Sequence, residues 1–366
     1  MYHTLTVVAL TQETPDAVTI HLEHPDGQTL PSQPGQFLTL IVPCGPGGRK
    51  ERRAYSLSST PHEAPRLGVT VKRVTGGLVS NYLLDNVRVG QQMEVMAPLG
   101  NFTLVPHPQA ARSLVLVGAG SGVTPLMSIL KAVLRTEPNS RVLLVYGNRN
   151  EESVIFQKQL IDLEASSNGR LQVEHVYSQP LHPGGAHQHT GRLNRTTLLR
   201  ILEQRHAAPA TQATYYLCGP DGMMAEARAA LDLLDVPANQ IFRESFVAAA
   251  ETAEVAHLHG DVSAAADVPA ADVPAGSRRV TIRYEGSEYL LDVPEKQTIL
   301  EAALDKDIDL PYSCQAGLCT ACRGKCLTGK IHLDEREGLS DSEMKQGYIL
   351  TCVGHPLTDD VVIEIG

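Results

Sequence analysis

Four cysteines constrain this chain more than anything else in it. Cys314, Cys319, Cys322 and Cys352 fall in the pattern C-x4-C-x2-C, with the fourth 30 residues further on, which is the ligand spacing of a plant-type 2Fe-2S cluster. Three thiolates then converge from one tight loop and the fourth from a distant strand. Such a loop needs small residues that let backbone amides turn toward the sulfurs, and Ala316, Gly317, Thr320 and Ala321 supply them. A structural zinc site usually brings two close cysteine pairs, and only Cys319 and Cys322 form one. A disulfide framework fits less well: seven cysteines is an odd count, and the opening MYHTLTVVALTQE lacks the basic start and apolar stretch of a secretory signal. Cys326 reads as a small packed side chain and Cys44 as a surface thiol in a Pro- and Gly-rich loop.

At 366 residues the chain exceeds what one core accommodates and implies two or three domains. Charge is unevenly placed. Residues 1–246 carry 21 Lys+Arg against 20 Asp+Glu, residues 247–277 none against 5, and residues 278–366 carry 10 against 16. The acidic C-terminal part argues against nucleic acid and for docking on a basic protein surface, although it serves plain solubility equally well. Residues 113–130 form an uncharged run of membrane-spanning length, yet three glycines, a proline and four hydroxyl residues make it a dinucleotide loop with its flanks rather than a membrane span. No stable membrane insertion is expected, and reduced thiolate ligands fit a cytoplasmic setting.

Composition shifts mark the divisions. Residues 247–277 are mostly Ala, Val, Pro, Asp and Glu, contain no aromatic residue and repeat Ala-Asp-Val-Pro-Ala at 266–270 and 271–275. They read as a flexible linker spanning about 30 Å as a coil. Upstream, apolar runs at 114–117, 142–146, 171–177, 214–217 and 241–244 alternate with helical patterns, which predicts an α/β domain at 107–246 with a five-stranded parallel sheet. Residues 1–106 show short alternating runs at 36–42, 67–74 and 92–96 separated by Pro and Gly, as in an antiparallel β-barrel. Residues 278–366 open with β-rich runs at 280–284 and 289–293. A helix follows from about 298 to 306, begun by a Thr298/Glu301 capping box, and a last strand is expected at 361–365. That order suggests an α+β, β-grasp ferredoxin domain.

Gly118-Ala119-Gly120-Ser121-Gly122-Val123-Thr124-Pro125 joins the first parallel strand to its helix, where glycines let backbone amides approach a phosphate. Alone this is a weak signal, since glycine-rich turns of this kind are common. It gains weight from Arg53-Ala54-Tyr55-Ser56, from Val71-Lys72-Arg73-Val74, and from Gly76-Gly77-Leu78-Val79-Ser80. Tyr146-Gly147-Asn148-Arg149 and Tyr216-Leu217-Cys218-Gly219-Pro220 then follow in order. On these residues the chain resembles the ferredoxin-NADP reductase family. Coupled to a C-terminal ferredoxin, it is most similar to reductase components of multicomponent oxygenases of the phenylacetyl-CoA epoxidase type.

The resemblance implies FAD, a nicotinamide nucleotide and a 2Fe-2S cluster as cofactors, and a separate redox protein, an oxygenase component, as partner. It implies that Arg53 pairs with the flavin pyrophosphate, that Tyr55 lies against the isoalloxazine, and that Ser56 bonds near N5. Gly77, Val79 and Ser80 would meet the same pyrophosphate, with Val71 and Lys72 beside them. Gly120, Ser121, Gly122 and Thr124 would hold the nicotinamide nucleotide, Cys218 and Gly219 would lie beside its ring, and Glu244 near the flavin. Phe246 would shield the flavin's open face. Arg149, Ser178 and Arg192 would meet a 2'-phosphate; with no acidic residue in 177–180, the reading leans slightly to NADPH. His182, His187 and His189 read as an ordinary flexible loop rather than a metal site. Electrons would pass from NAD(P)H through flavin and cluster to the partner. Open alternatives are a different client, such as a Rieske oxygenase or a desaturase, FMN in place of FAD, and a redox sensor without sustained turnover.

Overall fold

The computed structural model describes residues 2–205, 209–246, 260–264, 276–315, 317, 319–335 and 338–366. The chain divides into two units, Met1–Phe246 and Val247–Gly366.

The first half of the first unit is antiparallel. Strands β1 (Tyr2–Thr14), β2 (Ala17–Glu23), β3 (Phe37–Val42), β4 (Glu51–Ser56), β5 (Leu67–Lys72) and β6 (Gln92–Leu99) join in the order β4-β3-β6-β1-β2-β5. An antiparallel bridge between Leu57 and Val69 links the two outer strands and closes the sheet on itself. Closure removes the exposed edges on which foreign strands add. Inward residues from successive strands, among them Leu5, Ile20, Leu40, Val69 and Val95, fill the interior. Helix α1 (Leu78–Asn86) covers one end through Val79 and Leu83.

In the second half, β7 (Ser113–Ala119), β8 (Arg141–Asn148), β9 (Leu171–Tyr177), β10 (Gln188–Thr190), β11 (Ala213–Cys218) and β12 (Ile241–Glu244) pair in parallel in the order β10-β9-β8-β7-β11-β12. Helices α2 (Val123–Thr136) and α3 (Gln157–Ser166) bury one face, and α4 (Arg195–Arg205) and α5 (Asp221–Leu233) the other. Two covered faces explain why β7 and β8 are apolar without alternation. Truncating a fully buried member such as Leu116 to alanine costs about 2–5 kcal/mol.

The sheet has six strands, not the five expected. Strand β10 lies within the histidine-rich stretch read as a flexible loop. It is short and polar, so no apolar alternation announces it, and it is fastened through side chains. Fully buried Glu174 of β9 accepts from His187 Nδ1 at 2.7 Å, His189 Nε2 at 2.8 Å and Arg205 Nε at 2.9 Å. His187 and His189 are thus partners of a buried carboxylate.

The two halves meet along a polar seam. Ser128 on α2 donates to the Ser59 carbonyl, Lys131 pairs with Glu63 at 2.6 Å, and the Tyr216 hydroxyl donates to the Thr103 carbonyl at 3.1 Å. Phe102 packs edge-on against Tyr216, with centroids 5.2 Å apart.

In the second unit, β13 (Gly260–Ala264), β14 (Ser277–Tyr284), β15 (Ser287–Pro294), β16 (Arg323–Leu333) and β19 (Val361–Ile365) run in the order β13-β16-β19-β14-β15. Strands β17 (Tyr348–Leu350) and β18 (Gly354–Pro356) also pair with β16. Helix α6 (Ile299–Leu304) begins at the expected capping box, with Glu301 N–H donating to Thr298 Oγ1 and Thr298 N–H to the Glu301 carboxylate. It buries Ile299, Leu300, Ala302 and Ala303 against the sheet, and a short α7 (Asp341–Lys345) follows β16. Strand β13 corrects the expectation of a linker over all of 247–277. Ladder pairing uses backbone groups, so a segment without a core of its own still adds to an open edge. Residues 247–259 and 265–275 of that expected linker lie outside the described residues.

Candidate functional site

Three strand ends from both halves of the first unit meet at one place. Ser56 closes β4, Cys218 closes β11, and Glu244 closes β12 in direct register with Cys218. The Ser56 hydroxyl donates to Glu244 Oε2 at 3.2 Å, across 188 residues of sequence. Burial pushes the Glu244 carboxyl up to about 8, with the Ser56 bond pulling the other way. The Cys218 thiol is wholly enclosed; burial first and the Glu244 charge second push it well above the usual thiol range. Both groups therefore hold their protons at neutral pH. Phe246 stands 44% exposed, while Phe242 stacks on Tyr216 with centroids 4.8 Å apart.

Around this point the backbone leaves room for phosphates. Helix α1 begins at Gly77 and α2 at Gly122, and neither has a side-chain cap; at α2 a tight turn over Gly120–Gly122 leads in, and Val123 N–H donates to the Gly120 and Ser121 carbonyls. At Gly122 a Cβ would lie 2.1 Å from the Cys218 carbonyl oxygen, so only glycine permits the helix to start so close to β11. At Gly77 a Cβ would meet the Ser80 hydroxyl at 2.8 Å. Ser80 itself accepts from Val74 N–H at 3.2 Å, and Thr124 donates to the Ser121 carbonyl at 2.9 Å. These cradles fit a dinucleotide at each helix start.

The remaining expected residues have distinct surroundings. Arg53 is half-buried on β4 and donates to the Arg52 carbonyl. Tyr55 packs against the barrel core, and burial lifts its phenol well above the usual range. The side chains of Val71 and Val79 are buried, so a ligand could meet only their backbone. Lys72 lies 3.8 Å from Asp16, and its Nζ is 3.8 Å from where a Gly120 Cβ would stand, which places a cation at the glycine-rich loop. Gly219 has the Met223 methyl and the Ala119 amide against it. Arg149 and Ser178 are exposed at the carboxyl ends of β8 and β9, and Arg149 Nε donates to Gln179 Oε1 at 3.0 Å. Arg192 is exposed after β10.

The four cysteines of the second unit come together. Cys322 Sγ lies 3.2 Å from Cys352 Sγ, and Cys314 bonds both Cys319 and Cys352. All are free thiols. Thiol-to-thiol bonds, led by Cys314 at both Cys319 and Cys352, push those two far up. Cys352 is brought in by Thr351, whose N–H and hydroxyl both donate to the Cys322 carbonyl. Gln315 and Gly317 take positive φ of 56° and 70°, which turns the loop tightly. Next to Cys314, the Ser313 hydroxyl is buried with no hydrogen-bond partner. Sequence reasoning missed Ser313, since only an orphaned donor in three dimensions marks it. Four convergent thiols and one spare donor fit a 2Fe-2S cluster, whose sulfides accept such bonds. Cys326 is a packed thiol donating to the Thr328 carbonyl, with burial pushing it up to about 11.

Comparison with known proteins agrees with this layout. Residues 4–104 match the oxidoreductase FAD-binding domain family, residues 116–229 the oxidoreductase NAD-binding domain family, and residues 282–357 the 2Fe-2S iron-sulfur cluster binding domain family. The chain is 34% identical to one of the subunits of 1,2-phenylacetyl-CoA epoxidase of Escherichia coli, over 99% of this chain and 97% of that protein. It is 36% identical to the ferredoxin reductase component of 3-ketosteroid-9-alpha-monooxygenase of Rhodococcus rhodochrous, over 98% and 96%. Phthalate dioxygenase reductase shares the fold, with a TM-score of 0.59 at 24% identity over 100% of this chain and 98% of that one. Among the described residues no helix is long and apolar enough to cross a membrane.

Proposed function

The chain belongs to the ferredoxin-NADP reductase family, in the branch with a C-terminal 2Fe-2S domain, and from that premise we propose that it draws electrons from NADPH for an oxygenase of the phenylacetyl-CoA epoxidase type. The observation that carries the reading is the bond between Ser56 and Glu244, with Cys218 in register beside it. Bound FAD supplies the conversion between the electron pair of a hydride and the single electrons that a 2Fe-2S centre accepts.

The protein's own groups prepare that transfer. The uncapped start of α2 receives the nucleotide pyrophosphate and the start of α1 that of the flavin, with Arg53 and Lys72 as countercharges. Ser56 orients the Glu244 carboxyl, which keeps a proton up to about pH 8 and so puts no negative charge where hydride must arrive. Cys218 fills the floor of the site with a neutral, water-excluding thiol. Phe246, exposed at the end of the unit, covers the open flavin face and gives way to nicotinamide. If Phe246→Ala leaves nucleotide affinity and hydride-transfer rate both unchanged, that covering role is wrong.

Exposed Ser178, Arg149 and Arg192 support NADPH over NADH by a small margin. Comparison of the two kcat/KM values tests this. Anaerobic mixing with NADPH tests the electron order: flavin bleaching precedes that of the iron–sulfur band, and cluster reduction without bound flavin would overturn the path. The similarity to a ketosteroid monooxygenase reductase supports a second client class. Turnover with purified epoxidase and Rieske-type oxygenase components decides between them.

A further inference from the structure

The parallel sheet changes direction at β7: β8, β9 and β10 follow on one side, and β11 and β12 lie on the other. Ligands of such sheets bind across the carboxyl ends of the strands at this point. With pyrophosphate at Gly120–Gly122 and nicotinamide toward Cys218, the adenosine half extends over the ends of β8 and β9, about 10 Å or two strand spacings away. The loops there are fastened together. Ser178 N–H donates to the Asn148 carbonyl at 3.0 Å and Gln179 N–H to the Arg149 carbonyl at 2.7 Å. The next two free amides, of Leu181 and His182, both point at one carboxylate: Leu181 N–H donates to Glu151 Oε2 at 2.8 Å and His182 N–H to Glu151 Oε1 at 3.1 Å. Consecutive amides converging on an oxygen pair form an anion-binding nest. Glu151 is held in place by its own turn, in which Asn150 and Ser153 cap each other. The amide bonds, led by that of Leu181, keep its carboxyl below the usual range.

We infer that Glu151 is a specificity-determining residue: its carboxylate occupies from within the protein an anion position beside the nucleotide 2'-oxygen, and so opposes the 2'-phosphate of NADPH. This deepens the reading of a nicotinamide site and rests on it. Arg149 and Arg192 attract the 2'-phosphate, Glu151 repels it, and the two effects nearly offset each other. The slight NADPH preference proposed above is the remainder. Nothing in the Tyr177-Ser178-Gln179-Pro180 stretch reveals this, because the acid comes from the neighbouring strand's loop.

The test uses the full holoprotein with Glu151→Gln and Glu151→Asp, and titration calorimetry with adenosine 2',5'-bisphosphate and with 5'-AMP. The Gln variant binds the bisphosphate about two- to fivefold more tightly, the range of one exposed charge pair, while 5'-AMP affinity stays with the parent. The gain shrinks as salt is raised, and the Asp variant stays with the parent for both ligands. The NADPH:NADH ratio of kcat/KM rises by the same factor, through KM. Equal changes for both ligands, or none, overturn the inference and leave Glu151 a loop brace. Unchanged flavin absorbance and circular dichroism show that the variants fold. The calorimetry needs no turnover, so a parent chain that binds the bisphosphate but oxidises neither nucleotide would sink the proposed function and not this inference.

Discussion

The cysteine loop and the Ser56–Glu244 site hold their reactive groups in opposite ways. Three of the four thiols come from residues 314–322, and the fourth is drawn in by Thr351 bonding back to Cys322. The other site takes one residue each from β4, β11 and β12. Its defining bond joins residues 188 apart in sequence. The first is built by covalent spacing and the second by topology. A locally spaced site survives small shifts of the scaffold, whereas a site assembled from two sheets depends on the seam between them. That seam is accordingly polar and directional, with Ser128, Lys131 and Tyr216 each bound across it.

Breaking the local site has the largest expected effect. Cys322→Ser removes a thiolate that no neighbour replaces, so iron content falls and electron delivery to a protein acceptor drops by more than the ~100-fold that outer-shell changes cost. NAD(P)H oxidation with a small artificial acceptor persists, because every residue proposed for the hydride site belongs to the other unit. Ser56→Ala and Glu244→Gln come next, each lowering the hydride-transfer rate about 10- to 100-fold. Stopped-flow measurement across pH sharpens this further. The parent rate falls as pH rises through about 8, when Glu244 ionises beside the arriving hydride. In Glu244→Gln that inflection is gone.

Glu174 carries the comparison to a buried group remote from either site. Its carboxyl is held below its ordinary value by bonds from His187 and His189 and by the Arg205 charge, against the cost of burial. A depressed carboxylate pKa contributes stability above its unfolded value of about 4.3, and that contribution is lost as pH falls through the folded one. Glu174→Gln therefore unfolds more easily at pH 7, by about 1.5–3 kcal/mol for lost hydrogen bonds to a charged group. Thermal melts of parent and variant draw together as pH falls below the ordinary carboxylate range. The smallest effect belongs to Ser313→Ala. Loss of one donor near the cluster sulfurs makes its reduction potential more negative with iron content unchanged, as redox titration reads.

The same division explains what was legible in the sequence. Cysteine spacing is a local signal and picked out the four thiols that converge. Strands β9, β12 and β19 begin and end where the apolar runs do, because continuous burial writes itself into composition. Strand β10 escaped because its stability comes from a buried carboxylate on its neighbour. Strand β13 escaped because backbone pairing alone leaves no side-chain pattern. Ser56, Cys218 and Glu244 were recognisable through resemblance, but periodicity says nothing of the bond that joins two of them. Glu151 and Ser313 were invisible for a related reason: each is defined by what surrounds it in space.

Strand β12 is four residues long, forms the outer edge of its sheet, ends at Glu244, and is followed two positions later by the boundary between the units. The short strand from which the chain leaves for its second unit is thus the same one that carries Glu244, the acid proposed for the hydride site.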